Sequence, residues 1–172
     1  MTVEPDTKDW TWVIDRPCPE CGFDASALSL SDVSAAIRAN ADGWPEVLGR
    51  PNVRERPDPA TWSPLEYACH VRDACRVFGR RLTMMLAQDD PVFPNWDQDA
   101  TAVESRYGEQ DPLEVAAELR RNADGLAAAF AAVHGDLWRR TGRRSNGSVF
   151  TVETLARYFV HDPVHHLHDV GG

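Results

Sequence analysis

Four of the chain's six histidines fall within eight positions near its end, in the run His161-Asp162-Pro163-Val164-His165-His166-Leu167-His168. Imidazole is the commonest protein ligand for a transition metal, so such a run is first a candidate metal site. On a helix, residues four apart sit one above the other, and His161 and His165 have that spacing. His168, three residues beyond His165, lies near the same stripe and is the reserve ligand. His166 is turned by about 100° to a different face. Pro163 lies between the two leading histidines, and its ring removes an amide donor and can kink the helix.

Two ligands make a weak site, and only His70 and His134 remain elsewhere. His134 precedes Gly135 at the end of a helical stretch, where the helix dipole alone favours a histidine. His70 lies in Trp62-Ser63-Pro64-Leu65-Glu66-Tyr67-Ala68-Cys69-His70-Val71-Arg72-Asp73. Ser63 can cap, Pro64 suits the first helical position and Glu66 can close a capping box, so His70 falls in the second turn of a helix. Glu66 and Asp73 lie four before and three after His70 on one face, as candidates to orient its ring, and Asp162 is a third acidic candidate. His70 with His161 and His165 would give three ligands, leaving a fourth position for water or substrate.

Cys18-Pro19-Glu20-Cys21-Gly22 resembles half of a zinc knuckle. No second pair follows at finger spacing, so the leading expectation for Cys18 and Cys21 is a tight turn holding an aromatic arm on the body, with a zinc or redox role as the alternative. Cys69 and Cys75 fall on different sides of one helix.

The elements that must position these residues read as helices. Apolar residues near helical spacing mark a first helix over about Ser29 to Leu48, interrupted or ended by Pro45. The second runs from Pro64 to about Ala87. The third starts at Asp111-Pro112-Leu113-Glu114, which repeats the capping pattern of the second, and reaches about Val133. The fourth starts near Thr151 and ends at Gly171. Residues 138–150 form a loop or short hairpin whose arginines belong to a solvated turn. The connection from Gln88 to Gln110 is long enough to cross a bundle end and return the next helix parallel to the last, and its aromatic residues pack over that end or wall a site. The expected fold is all-α: a four-helix bundle of up-down-down-up order over residues 28–172, preceded by a non-helical arm over residues 1–27.

A length of 172 residues suits one domain with a real core, and the net charge of -9 argues against nucleic acid or an anionic membrane as partner. All the basic residues but Lys8 are arginine, a bias that carries no mechanism. The first residues, Met1 to Asp6, lack a cationic start and an apolar run, and nowhere do eighteen apolar residues occur together. The expectation is a cytoplasmic chain with reduced or metal-bound cysteines.

The segment W-S-x-x-E-x-x-x-H-x-x-D at Trp62 to Asp73, followed by H-x-x-x-H at His161 to His165, resembles the DinB-like superfamily. The resemblance spans residues 28–170 in architecture and is specific in these two segments. It implies a four-helix bundle with a divalent metal, often zinc or nickel, on three histidines, here His70, His161 and His165, and frequent homodimers. Several members transfer low-molecular-weight thiols such as mycothiol or bacillithiol to electrophiles, and maleylpyruvate isomerase has a related domain. The implied activity is transfer of such a thiol to a small electrophilic substrate. The competing readings are a hydrolase using a metal-bound hydroxide and a metal-binding stress-response module without turnover. Pro163 and the Cys18–Cys21 arm depart from the pattern.

Overall fold

A computed structural model describes residues 9–172. The reading of the first six residues, and the start of the arm, lie outside the described residues. The chain forms four long helices: α1 (Val33–Leu48), α2 (Pro64–Ala87), α4 (Pro112–Ala131) and α5 (Val152–Asp169). A short helix α3 (Gln98–Glu104) lies in the connection between α2 and α4.

Each long helix but α1 starts at a side-chain cap. In α2 the Ser63 hydroxyl accepts from the Glu66 amide, and the Glu66 carboxylate accepts from the Ser63 amide at 2.8 Å. Asp111 accepts from the amides of Leu113 and Glu114 to start α4, and Thr151 pairs reciprocally with Thr154 to start α5. These caps satisfy amides that have no partner within the helix. Pro45 and Pro163 both sit inside helices, α1 continuing one turn past Pro45 and α5 running unbroken to Asp169.

Pairs between helices fix their directions. Arg38 faces Asp124 and Arg120 faces Asp42, so α1 and α4 are antiparallel. Arg72 reaches Glu118, and Gly79 lies over Leu126, so α2 and α4 run parallel. His70 meets Asp162 and Phe78 meets Phe159, which makes α2 and α5 antiparallel. The order is up-down-down-up. The parallel return from α2 to α4 is what the long connection makes possible.

The core between the helices is built from Trp44, Leu65, Leu82, Leu119, Phe130 and Leu155, among others. One polar link crosses it. The buried Asn40 amide donates to the Pro163 carbonyl at 2.8 Å and its oxygen accepts from the Trp44 indole at 3.0 Å, tying α1 to α5.

The end of the bundle carries a small sheet. β2 (Thr141–Arg144) and β3 (Val149–Thr151) form the hairpin that the sequence allowed, and β1 (Val92–Phe93) from the long connection pairs with β2 in parallel. The arginines of this region are not simply solvated. Arg140 donates to the carbonyls of Met85 and Gln88 at the end of α2, and Arg144 lies over the rings of Phe150 and Tyr158. In the same connection Phe93 and Tyr107 are buried in the core, whereas Trp96 stacks on His70.

The N-terminal arm packs along α5. It holds 3-10 turns at Thr11–Ile14 and Ala25–Ala27 and buries Val13, Cys18 and Ala25. Between them Gly22 donates to the Cys18 carbonyl at 2.8 Å and Cys18 to the Phe23 carbonyl at 2.9 Å. Gly22 has a φ of 75°, the left-handed conformation that glycine adopts without steric cost.

Candidate metal centre

α5 presents two neighbouring stripes of ligand-type side chains, each with a spacing of four. One is His161 with His165, as the sequence indicates. The other is Asp162 with His166, rotated by about 100°. The helix turns the second stripe toward α2 and the first toward the arm. The expected trio of His70, His161 and His165 therefore does not converge. His70 gathers with Asp162 and His166, and His161 and His165 gather with Cys18 and Cys21; within each group the ligand atoms lie within 4.8 Å of one another.

In the first group His70 Nε2 lies 3.2 Å from Asp162 Oδ2, and His166 Nε2 lies 3.5 Å from Asp162 Oδ1. Ligand atoms at the corners of a tetrahedron with metal bonds of about 2.1 Å are separated by about 3.4 Å. The two distances run to different oxygens of Asp162, and one ligand atom from each of the three residues lies within 4.8 Å of the others, close enough to share one ion. The donor set, two imidazoles and one carboxylate, fits a divalent metal in its chemistry.

The candidate orienting acids are engaged elsewhere. Glu66 turns back to the start of its helix, where it closes the capping box and accepts two bonds from Arg56. Asp73 accepts from the Tyr107 hydroxyl at 2.6 Å and from the Arg72 guanidinium. A first-turn acid satisfies free amides, and a guanidinium or a phenol offers a stronger partner than a neighbouring imidazole. Among the described residues His70 Nδ1 is buried without a hydrogen-bond partner. Packing holds the ring instead: Trp96 stacks on it with a centroid distance of 5.1 Å, and Trp62 tilts against it at 5.5 Å.

A different acid does the orienting for His166. Its Nδ1 lies 3.3 Å from Asp169 Oδ2, which directs Nε2 toward Asp162. Asp169 also lies 3.6 Å from His165 Nε2, so one carboxylate touches a histidine of each group. His168 is exposed near Asp169 and joins neither group, and His134 lies exposed before a 3-10 turn.

Burial opposes the charge of Asp162, but His70 and His166 outweigh it and hold the carboxyl well below its ordinary range. Burial likewise opposes protonation of His166, yet Asp162 and Asp169 lift it to about 9. This group is a pre-paired anion and cation, and a metal would take the place of the His166 proton. His161 behaves oppositely: burial, and then the neighbouring His165, push it down to about 4, so its ring is neutral and its lone pair free to ligate. Burial pushes the Cys21 thiol up, and raises Cys69 and Cys75, each to about 12.

Beside Asp162 and His166 opens a cavity of about 520 Å³, lined also by His161 and His165 of the second group and by Trp10, Tyr67, Gln98 and Tyr158. That volume suits a small-molecule ligand. Burial raises the Tyr158 hydroxyl above its ordinary pKa, which keeps it protonated and able to donate.

The profile described as DinB superfamily matches residues 32–170. The chain belongs to the DinB superfamily. Among solved structures it is similar to YfiT from Bacillus subtilis, described as a probable metal-dependent hydrolase with an unusual four-helix bundle topology. The two share 16% identity over 86% of each chain with a TM-score of 0.70, a likeness of fold. No curated protein sequence matches the chain significantly. Among the described residues, no helix is long and apolar enough to cross a membrane.

Of the residues gathered at the candidate centre, His166 is the one that its sequence position set aside, on a different face from His161 and His165. The signal was present, since Asp162 and His166 repeat the four-residue spacing of His161 and His165. Choosing between the stripes requires knowing which face of α5 meets α2.

Proposed function

We propose that the protein is a metal-dependent hydrolase whose divalent metal is held by His70, Asp162 and His166. The observation that carries this reading is the convergence of those three side chains, whose ligand atoms lie within 4.8 Å of one another, with Asp162 and His166 lining the cavity. A carboxylate with two histidines is a donor set of water-activating zinc enzymes, and it leaves the centre less positive than three neutral histidines would. A divalent metal there supplies Lewis acidity that makes a coordinated nucleophile more acidic and polarises the bond under attack.

The chain's own groups divide the remaining tasks. Trp62 and Trp96 fix the His70 ring, and Asp169 fixes the tautomer of His166 that leaves Nε2 free to bind metal. The Tyr158 hydroxyl and the Gln98 amide line the cavity as hydrogen-bond donors for a polar substrate, and Tyr67 and Trp10 give it aromatic walls. Similarity of fold to a protein described as a probable metal-dependent hydrolase supports the same class.

Transfer of a low-molecular-weight thiol to an electrophile is the second reading. The cavity volume favours it, since 520 Å³ accommodates a cosubstrate beside a small electrophile. One experiment separates the two. Metal-loaded protein is assayed against small esters and amides without thiol, and against a generic electrophile with each of several thiols. Hydrolysis that needs metal and is lost in H166A supports the first reading. Thiol consumption that needs metal and His166, with no cleavage of esters or amides, replaces it with the second.

A further inference from the structure

The group formed by the arm and α5 lies outside that proposed centre. Cys18 Sγ is 3.7 Å from His165 Nδ1, and Cys21 Sγ is 3.8 Å from His161 Nε2. A tetrahedral zinc with bonds of about 2.3 Å to sulfur and about 2.05 Å to nitrogen separates such a pair by about 3.6 Å. Four ligand atoms lie within 4.8 Å of one another, two from a C-x-x-C turn and two from one helical stripe. We propose that Cys18, Cys21, His161 and His165 form a second, closed metal site that takes one structural zinc and staples the N-terminal arm to α5.

Three features of the surroundings support a closed zinc site over a simple packing contact. His165 Nε2 faces two carboxylates, 3.5 Å from Glu20 Oε2 and 3.6 Å from Asp169 Oδ2, which favours the ring proton on that nitrogen and leaves Nδ1, on the side of Cys18, as the ligating atom. The Cys-Pro-Glu-Cys-Gly turn, with its Gly22 at positive φ, brings the two sulfurs to one side. Trp10 covers the histidine pair, its ring centroid 5.7 Å from that of His161 and 5.2 Å from that of His165. Charge also balances, because two thiolates neutralise a divalent ion in a buried setting. On binding, the two sulfur–hydrogen bonds are replaced by sulfur–zinc bonds and two protons leave to solvent. Four protein ligands fill the coordination shell, the pattern of a structural rather than a catalytic zinc.

Full-length protein freed of metal by a chelator in reducing buffer is titrated with cobalt(II), and separately with zinc before alkylation by iodoacetamide and peptide mass mapping. The expected results are thiolate-to-cobalt charge-transfer absorption that is lost in C21S and retained in H166A, and protection of Cys18 and Cys21 by one equivalent of zinc. The alkylation arm uses the unmodified chain and so does not depend on C21S folding. Retention in H166A separates this site from the proposed catalytic centre, whose failure would leave the absorption intact. Absence of thiolate–cobalt absorption in the unmodified protein overturns the proposal. So does equal alkylation of Cys18 and Cys21 with and without zinc. A Cys18–Cys21 disulfide persisting in reducing buffer overturns it in favour of a dithiol redox pair.

Discussion

A single position along α5 decides which histidine serves which site. His166 and His165 are adjacent, yet one faces α2 and the other the arm, because each residue turns the helix by about 100°. Substituting His166 by alanine is expected to remove one equivalent of bound divalent metal, while H168A leaves the metal content unchanged; elemental analysis of protein purified in parallel measures both. Asp169→Asn should keep the metal but weaken its binding by about 10- to 100-fold, the usual cost of losing an orienting carboxylate, read by competition with a chromophoric chelator. Glu66 belongs to stability. Burial disfavours its charge, but Arg56 and Ser63 outweigh this and lower its pKa below 4.5. A carboxyl lowered on folding contributes stability that is present above about pH 4.5 and lost as pH falls through the folded value. E66Q should therefore cost about 1–3 kcal/mol in urea denaturation near pH 7, with the difference from the unmodified protein shrinking below pH 4.5.

At the scale of elements, the site depends on how α5 is held against its neighbours. Asn40 links α1 to α5 by donating to the Pro163 carbonyl and accepting from Trp44, all within the core. Asn40→Ala leaves the buried Trp44 indole N–H without its partner and removes the bond that the Pro163 carbonyl accepts in addition to its own helix bond, and an unsatisfied buried group costs about 1–3 kcal/mol. The expected loss is about 1–3 kcal/mol in equilibrium denaturation, with metal stoichiometry preserved in the fraction that folds. The connection between α2 and α4 acts differently. It supplies Phe93 and Tyr107 to the core and Trp96 to the His70 ring, so one segment both closes the bundle end and walls the candidate centre. Trp96→Ala should weaken metal binding at that centre more than it lowers stability, because it removes the face against which His70 stacks.

For the whole molecule, metal and folding are expected to be linked. A ligand that binds only the folded chain stabilises it by about 2.7 kcal/mol at a free concentration one hundred times its Kd. Chelation should therefore lower the melting temperature of the unmodified protein, and restoring zinc should recover it. Differential scanning fluorimetry of the unmodified chain, H166A and C21S in chelator and in zinc checks this. The recovery in each variant should be smaller than in the unmodified chain, since each retains only one of the two proposed sites.

Local grammar was enough for much of this architecture. Ser63-Pro64-x-Glu66 and Asp111-Pro112-x-Glu114 mark helix starts because capping involves neighbours within one turn, and the long segment after α2 announces a parallel return. The superfamily is likewise legible in two short segments. The sequence also presents every ligand type, and even both four-residue spacings on α5. What it does not contain is the rotation of α5 about its own axis, which is set by packing against α1, α2 and the arm. That rotation sends Asp162 and His166 to His70 and leaves His161 and His165 to a pair of cysteines some 140 residues earlier in the chain. Contacts over such a distance follow from the burial of whole faces, and spacing along the chain carries no record of them.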